Sequence, residues 1–576
     1  MPATSPVFRF ALPYWFAASV LLMSSLTRGD DTAAVPDSAP LHARIDAAIL
    51  AAVDGPVAAP SDDAEFVRRI YLDLAGRIPS ADEARRFFAD PAADKRERLI
   101  DLLLAGEDYP RRMQIFFDAM LMERRPDMHV PSPEWQAFLV DSFRENKPYH
   151  ELVREVLSSD GSDVETRAAA KFYLDREADT NLLTRDVGRI FLGMDVQCAQ
   201  CHDHPLISDY LQRDYYGIYA FLNRSYVFTG KNDKDATLAE KGEGDVTFTS
   251  VFTEESGSAV PHLPDDAPID EPKFADGEAY VVAPADNVRP VPKFSRREQL
   301  AALLASGQNE RFRRNIANRL WGMMLGRGLV HPYDLDHSNN PPSHPELLDM
   351  LSEEFAAKNF DVKWYLRELA LSQTYQRSSL LPEGIDPASP PAEDRYAVAI
   401  LRPLTPEQLA ESLMQATGTL DRQQQAAGTA IDPRTRDLLS SNDRLRHRAS
   451  VRSEDTLHDR LRGEMNEFAT RFGGQPGTTP VGFDATVHQA LYMANGSRVA
   501  GWLQPASGNL VDRLSRQRDP QRVAEEMYLA ILSRPPGNDE RREVCQTMAD
   551  ANAAPADALS QLAWALLASA EFRLNH

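Results

Sequence analysis

At several points in this chain a short polar residue stands three positions before a glutamate and directly ahead of an apolar stripe at helical spacing, among them Asp62-x-x-Glu65, Ser80-x-x-Glu83 and Ser295-x-x-Glu298. In that arrangement the first side chain accepts from the free backbone N–H groups of a helix start and the glutamate reaches back, so it marks where helices begin. Thr405-Pro406-Glu407-Gln408 adds a further start, with proline at the first helical position, where no N–H is required. Behind these starts apolar residues recur on one helical face: Phe66, Ile70 and Leu74 until Gly76 and Pro79; Leu99, Leu102 and Leu103; Met113, Phe116, Phe117, Met120 and Leu121; Leu152, Val153 and Val156. The pattern continues over 182–192 and 215–222, then over 315–325, from Pro345 through Leu347, Leu348, Leu351 and Phe355, over 523–532, and through Trp564, Leu566, Leu567 and Phe572. These faces read as core, and the expected fold is mainly α.

One region breaks the helical period. Between 226 and 292, Val246-Thr247-Phe248-Thr249 alternates as a half-buried strand among many Gly, Pro and Asp residues, which predicts a small β-rich insert between two helical domains. The expected organisation is a signal peptide or N-terminal anchor over 1–29, a spacer over 30–60, a helical domain over 61–225, the insert over 226–292 and a C-terminal helical domain over 293–576. The spacer is rich in Ala, Pro and Asp, although His42 to Val53 carries a helix-like pattern. Residues 425–465 are polar and rich in Arg and Asp, so they are expected to be exposed and partly mobile.

Compartment and charge narrow the function. After Arg9, Phe10 to Leu22 is a short apolar run interrupted by Pro13, which reads as a secretory signal and predicts export to the periplasm or cell surface. The cleavage site is not defined, so membrane association through an uncleaved N-terminus stays open. A net charge of −23 with no basic patch excludes nucleic acid and anionic membrane surfaces as partners.

The chemistry concentrates in Cys198-Ala199-Gln200-Cys201-His202, which takes two of only three cysteines in the chain. Two thiols three residues apart with an imidazole directly after the second are what covalent haem c attachment requires: each sulfur adds to a vinyl group and His202 binds the iron. An electron-transfer or other redox role with an unidentified redox partner protein would follow. Two other readings stay open. Cys198, Cys201, His202 and His204 could hold zinc or non-haem iron, or Cys198 and Cys201 could close a small disulfide in a non-catalytic surface scaffold. His204 cannot easily reach the opposite face of a ring bound by His202, so distal candidates are named by residue type alone: Met113, Met120, His150, Met323 and His344, each also a reasonable structural residue. Asp203 and Asp209 read as caps or partners of a histidine, His344 as a structural residue at a helix start, and Cys545 as a small buried residue on a helix. No G-x-S-x-G elbow, phosphate loop or H-E-x-x-H is present, so no catalytic residue is assigned.

The stretches Phe66–Ser80, Phe191–Pro205 and Asn339–Asp349 resemble the planctomycete cytochrome-associated proteins, which pair the domains of unknown function 1549, also described as planctomycete cytochrome-type, and 1553. The resemblance extends to Asn318–Gly328, Gln489–Gly496, Leu532–Pro536 and the end of the chain from Trp564, and so covers nearly everything after the spacer. It implies an exported protein in which Cys198, Cys201 and His202 stand at the family's C-x-x-C-H. Two departures stand out: Phe116-Phe117-Asp118 replaces a Trp-rich segment, and Met323-Met324 replaces a pair of histidines found in some relatives.

Overall fold

A computed structural model describes residues 36, 38–231, 235–251, 254, 256–429, 443–475, 477, 486–550 and 555–576. The apolar run over 10–22, and with it the expected signal, lies outside the described residues, as does 430–442. Among the described residues no helix is long and apolar enough to cross a membrane.

The fold is mainly α, with two helical domains and a small strand-containing region between them. In chain order the helices that matter here are α1 (Leu41–Ala52), α2 (Asp63–Leu74), α3 (Ala81–Ala89), α4 (Asp108–Met122), α5 (Thr180–Leu192), α6 (Gln212–Leu222), α7 (Arg296–Leu304), α8 (Glu310–Leu325), α9 (Pro345–Ala357) and α10 (Pro406–Thr417). The insert between α6 and α7 is three two-stranded antiparallel ribbons, β1 (Ser225–Phe228) with β2 (Thr237–Glu240), β3 (Val246–Thr249) with β4 (Ser256–Ala259), and β5 (Tyr280–Val282) with β6 (Val291–Pro292). The Tyr216 ring on α6 stacks on Phe248 of β3 at 4.7 Å, which seats the insert against the helix.

Two hydrophobic cores organise the helices. The first runs from Leu41 to Tyr396, joining α1, the helices up to α6, and α7 to α9. The second joins residues from Leu404 to Phe572 and takes Leu72, Ile78, Ala81 and Ala84 from the start of the chain. Helix α2 therefore serves both, with Phe66 and Ile70 in the first core and Leu72 in the second. On the same helix the buried Arg68 donates through Nη2 to the carbonyl of Phe572, 2.6 Å away, and Asn575 Nδ2 donates to Asp73 Oδ1 at 2.9 Å. Leu574–Asn575 pairs antiparallel with Arg402–Pro403, so the last residues of the chain are held beside α2.

Several local expectations are refined. The stretch read as a spacer contains α1, whose Leu41, Ile45 and Ile49 are buried in the first core; the helix-like pattern outweighs the Ala/Pro composition because three aliphatic residues share one face. The region read as exposed and mobile contains the helix Asp443–Phe472, in which Leu457, Leu461, Phe468 and Phe472 pack into the second core. Its polar bulk hid a narrow apolar stripe at helical spacing. Leu102 is 66% exposed, and Cys545 is half-buried on the helix Asn538–Asp550.

Candidate functional site

Helix α5 delivers the chain to the cysteine motif and ends at Gly193, whose φ of +71° is the left-handed conformation that closes a helix. A Cβ there would come within 3.2 Å of Asn315 Oδ1 and 3.3 Å of the Tyr333 carbonyl, so the close approach of α8 and its following loop also requires glycine. Met194 and Val196 are buried and anchor the exit. The motif then forms one 3-10 turn, Gln197–Gln200, with Ala199 buried beneath it and Cys198 and Cys201 exposed. Both thiols are free.

Backbone carbonyls fix this turn. Gln200 C=O accepts from Tyr216 Oη at 3.2 Å and from Gln212 Nε2 at 3.4 Å, and Cys201 C=O accepts from the Val251 N–H at 3.2 Å. Asn181 Oδ1, at the start of α5, accepts from both Gln200 Nε2 and Tyr215 Oη, at 3.1 and 2.8 Å. Asp203 Oδ1 accepts from the N–H of Gln212, the first residue of α6, at 2.7 Å. Burial raises the hydroxyls of Tyr215 and Tyr216, with nearby tyrosines and Cys201 adding to the effect, so both stay protonated donors.

The two histidines of the motif are held differently. His202 Nδ1 lies 2.7 Å from the Asp203 carbonyl, which can only accept, so the proton sits on Nδ1 and the lone pair of the neutral ring on Nε2. His204 Nδ1 instead accepts from the N–H groups of Leu206 and Ile207, at 3.2 and 3.0 Å, which places its remaining proton on Nε2. His204 thus closes a local turn with its lone-pair nitrogen. Among the described residues no group of three or more His, Cys, Asp or Glu side chains is gathered to hold a metal.

The C-terminal half of the chain contributes a loop that sequence reading missed. After α8, Met194 and Leu335 form an antiparallel bridge, the Asp195 N–H donates to Asp334 C=O at 2.8 Å and the Asp336 N–H to Gly193 C=O at 2.9 Å. Beyond the motif, Asn339 Nδ2 donates to Leu206 C=O at 2.6 Å. The Tyr210 ring stands edge-on between His204 and His337, with centroid separations of 6.1 and 5.4 Å. The loop is braced from below by buried charges. Asp334 pairs with Arg319 and Arg189, and Arg189 pairs with Glu123 and Asp186, the latter at 3.1 Å. Burial would raise the Asp186 carboxyl, but Arg176, followed by Arg189 and Arg125, holds it down at about 2.

The distal candidates named by residue type lie in other settings. Met113 is fully buried in the first core, and Met120 and Met323 line a cavity between the two cores. His150 packs on Phe360 at 5.1 Å, and the buried His344 pairs with Ser343 Oγ at 3.0 Å. His337 is the imidazole that the fold brings to the motif. It stands two residues before the Asn339 block, and only its nearness to that block could have drawn attention to it.

The turn suits a tethered macrocycle. Its sulfurs are free and exposed, His202 is oriented through Nδ1 by a backbone carbonyl, and two aliphatic side chains beside the motif, Leu206 at 79% exposed and Val251 at 63%, offer unburied apolar contact.

Comparison with known proteins gives family and not activity. Residues 44–226 match the family model PSCyt2, a protein of unknown function (DUF1549), and residues 296–548 match PSD1, a protein of unknown function (DUF1553). No curated protein and no solved structure matches the chain. The family boundaries do not follow the cores, since the first third of the PSD1 segment completes the core of the PSCyt2 segment and carries the loop docked on the cysteine motif. The chain belongs to the proteins that pair a PSCyt2 domain with a PSD1 domain.

Proposed function

We propose that the protein is exported, carries haem c on Cys198 and Cys201 with His202 as the proximal ligand, and serves in electron transfer. The observation that carries this reading is the pairing of two free, exposed thiols on one braced turn with an imidazole whose Nδ1 is tied to the Asp203 carbonyl. A hydrogen bond to Nδ1 orients a ligating imidazole and raises its basicity. Haem, when bound, would supply the one-electron couple. The chain's own contribution is positional: Tyr216, Asn181 and Val251 hold the turn, and the loop from Asp334 to Asn339 backs it. The His204 geometry supports haem over a four-ligand zinc site, because ligation through Nδ1 would cost two backbone hydrogen bonds.

The test is production of the full chain in a host competent for export and cytochrome c maturation. A haem signal that stays with the polypeptide on a denaturing gel, and is lost in Cys198→Ser/Cys201→Ser, supports the proposal. Stoichiometric zinc or iron without that signal, or colourless protein free of metal, overturns it.

A further inference from the structure

Between the two cores lies a cavity of about 410 Å3, lined by α4, α8 and the segment from Arg402 to Gln408, with Phe472 and Asn575 at one side. Ile115, Phe116, Met120, Met323 and Leu404 give it apolar walls, and four arginines reach it. Three of the four are matched. Arg124 pairs with both oxygens of Glu407, Arg402 with both oxygens of Asp73, and Arg319 with Asp334.

Arg112 is different. It is 5% exposed, and among the described residues its one hydrogen bond runs from Nε to the Asp73 carbonyl at 3.2 Å, so its two terminal nitrogens have no protein acceptor. Burial lowers its affinity for a proton, and Asp73 is the largest opposing influence. In the same lining Asn575 is 3% exposed and uses Nδ2 on Asp73, while its Oδ1 is buried with no partner among the described residues. His331 Nδ1 is buried in the same condition.

We propose that this cavity binds a small organic carboxylate with an apolar body, the carboxylate lying on the terminal nitrogens of Arg112 and a hydroxyl of the same molecule donating to Asn575 Oδ1. A guanidinium offers two parallel N–H groups that match a carboxylate, and a buried one without an acceptor favours any anion that can reach it. A bare inorganic anion would leave the methionine and aromatic walls facing water, so the cavity selects an organic body. His331 and Tyr333 line it, and the chain from Asp334 onward is the loop docked on the cysteine motif, so the bound molecule would sit behind that loop.

The test is isothermal titration and thermal shift on the full chain with 6-hydroxyhexanoate, hexanoate, acetate and 1-hexanol. The expected order is 6-hydroxyhexanoate tightest, then hexanoate, with acetate and 1-hexanol at least tenfold weaker. Arg112→Gln should weaken hexanoate at least tenfold, and Asn575→Ala should remove the advantage of the hydroxyl. Met120→Trp, which fills the cavity and keeps Arg112, should abolish binding and decides the matter if Arg112→Gln does not fold. Absence of carboxylate binding, equal binding of 1-hexanol or acetate, or unchanged affinity in Met120→Trp overturns the proposal. Affinity should be the same in Cys198→Ser/Cys201→Ser protein, which separates this site from the haem reading; loss of binding there also counts against it.

Discussion

Asp209 accepts two hydrogen bonds from Ser338, from its N–H to Oδ2 at 2.7 Å and from its Oγ to Oδ1 at 2.6 Å, across 129 residues of sequence. This contact ties the far side of the cysteine loop to the PSD1 segment. Burial alone would raise the Asp209 carboxyl, but the Ser338 donors hold it below its ordinary value of 3.8. A carboxylate whose folded pKa is depressed contributes stability that is complete above the ordinary value and is lost as pH falls through the folded one. Amide exchange over 198–210 should therefore rise below about pH 4 before global unfolding, and Asp209→Asn should show the raised exchange already at about pH 7. Equal exchange in Asp209→Asn and wild type at neutral pH would contradict this.

The buried charges under the loop give a larger effect. Arg189→Met removes a cation shared by Glu123, Asp186 and Asp334; Asp186 keeps Arg176 and Asp334 keeps Arg319, so the loss falls mainly on the buried Glu123, whose other cation, Arg125, stands at 3.6 Å. Breaking a buried ion pair from one side costs about 3–5 kcal/mol. Urea unfolding should show a loss of that size, and a loss under about 1 kcal/mol would mean that the network relaxes around the gap.

Glu411 on α10 carries the opposite sign. Burial, with Asp108 adding and Arg77 and Arg112 opposing, pushes its carboxyl up to about 8. An acid with a raised folded pKa contributes stability that is complete below its ordinary value of 4.5 and is lost as pH rises to about 8. Glu411→Gln should be more stable than wild type by on the order of 1–3 kcal/mol at about pH 8 and no more stable at about pH 4. Denaturant midpoints at the two pH values check this, and parallel shifts at both would count against it.

His204→Ala separates turn closure from ligation. The backbone N–H groups of Leu206 and Ile207 lose their acceptor, so stability should fall by about 1–2 kcal/mol while covalently attached haem persists on a denaturing gel. Loss of attached haem in a variant that still folds would give His204 a role at the cofactor.

Local signals were legible and distant ones were not. Ser80 with Glu83 and Thr405 with Gln408 form complete capping boxes, because both halves are sequence neighbours. At Asp62 and Ser295 the forward bond forms, but Glu65 turns to Arg69 and Ser378, and Ser295 Oγ donates to Glu240. Arg69 is a neighbour one helical turn on, but Ser378 and Glu240 lie more than fifty residues away, and no spacing rule reaches that far. The cysteine turn was visible for the same reason as the caps, since its residues adjoin one another. Its backing by Asp334, Ser338 and Asn339 was not, because polar residues beside prolines read as an ordinary surface loop until the helix before them is placed.

The hold of Arg68 on the Phe572 carbonyl, together with the pairing of Asn575 with Asp73, has a consequence for biosynthesis. A guanidinium on α2 finds its acceptor 504 residues further along the chain. Until that later segment has been translated, the helix carrying the guanidinium has one face it can pack and one still waiting, so the second core closes on α2 only after the distant segment has emerged.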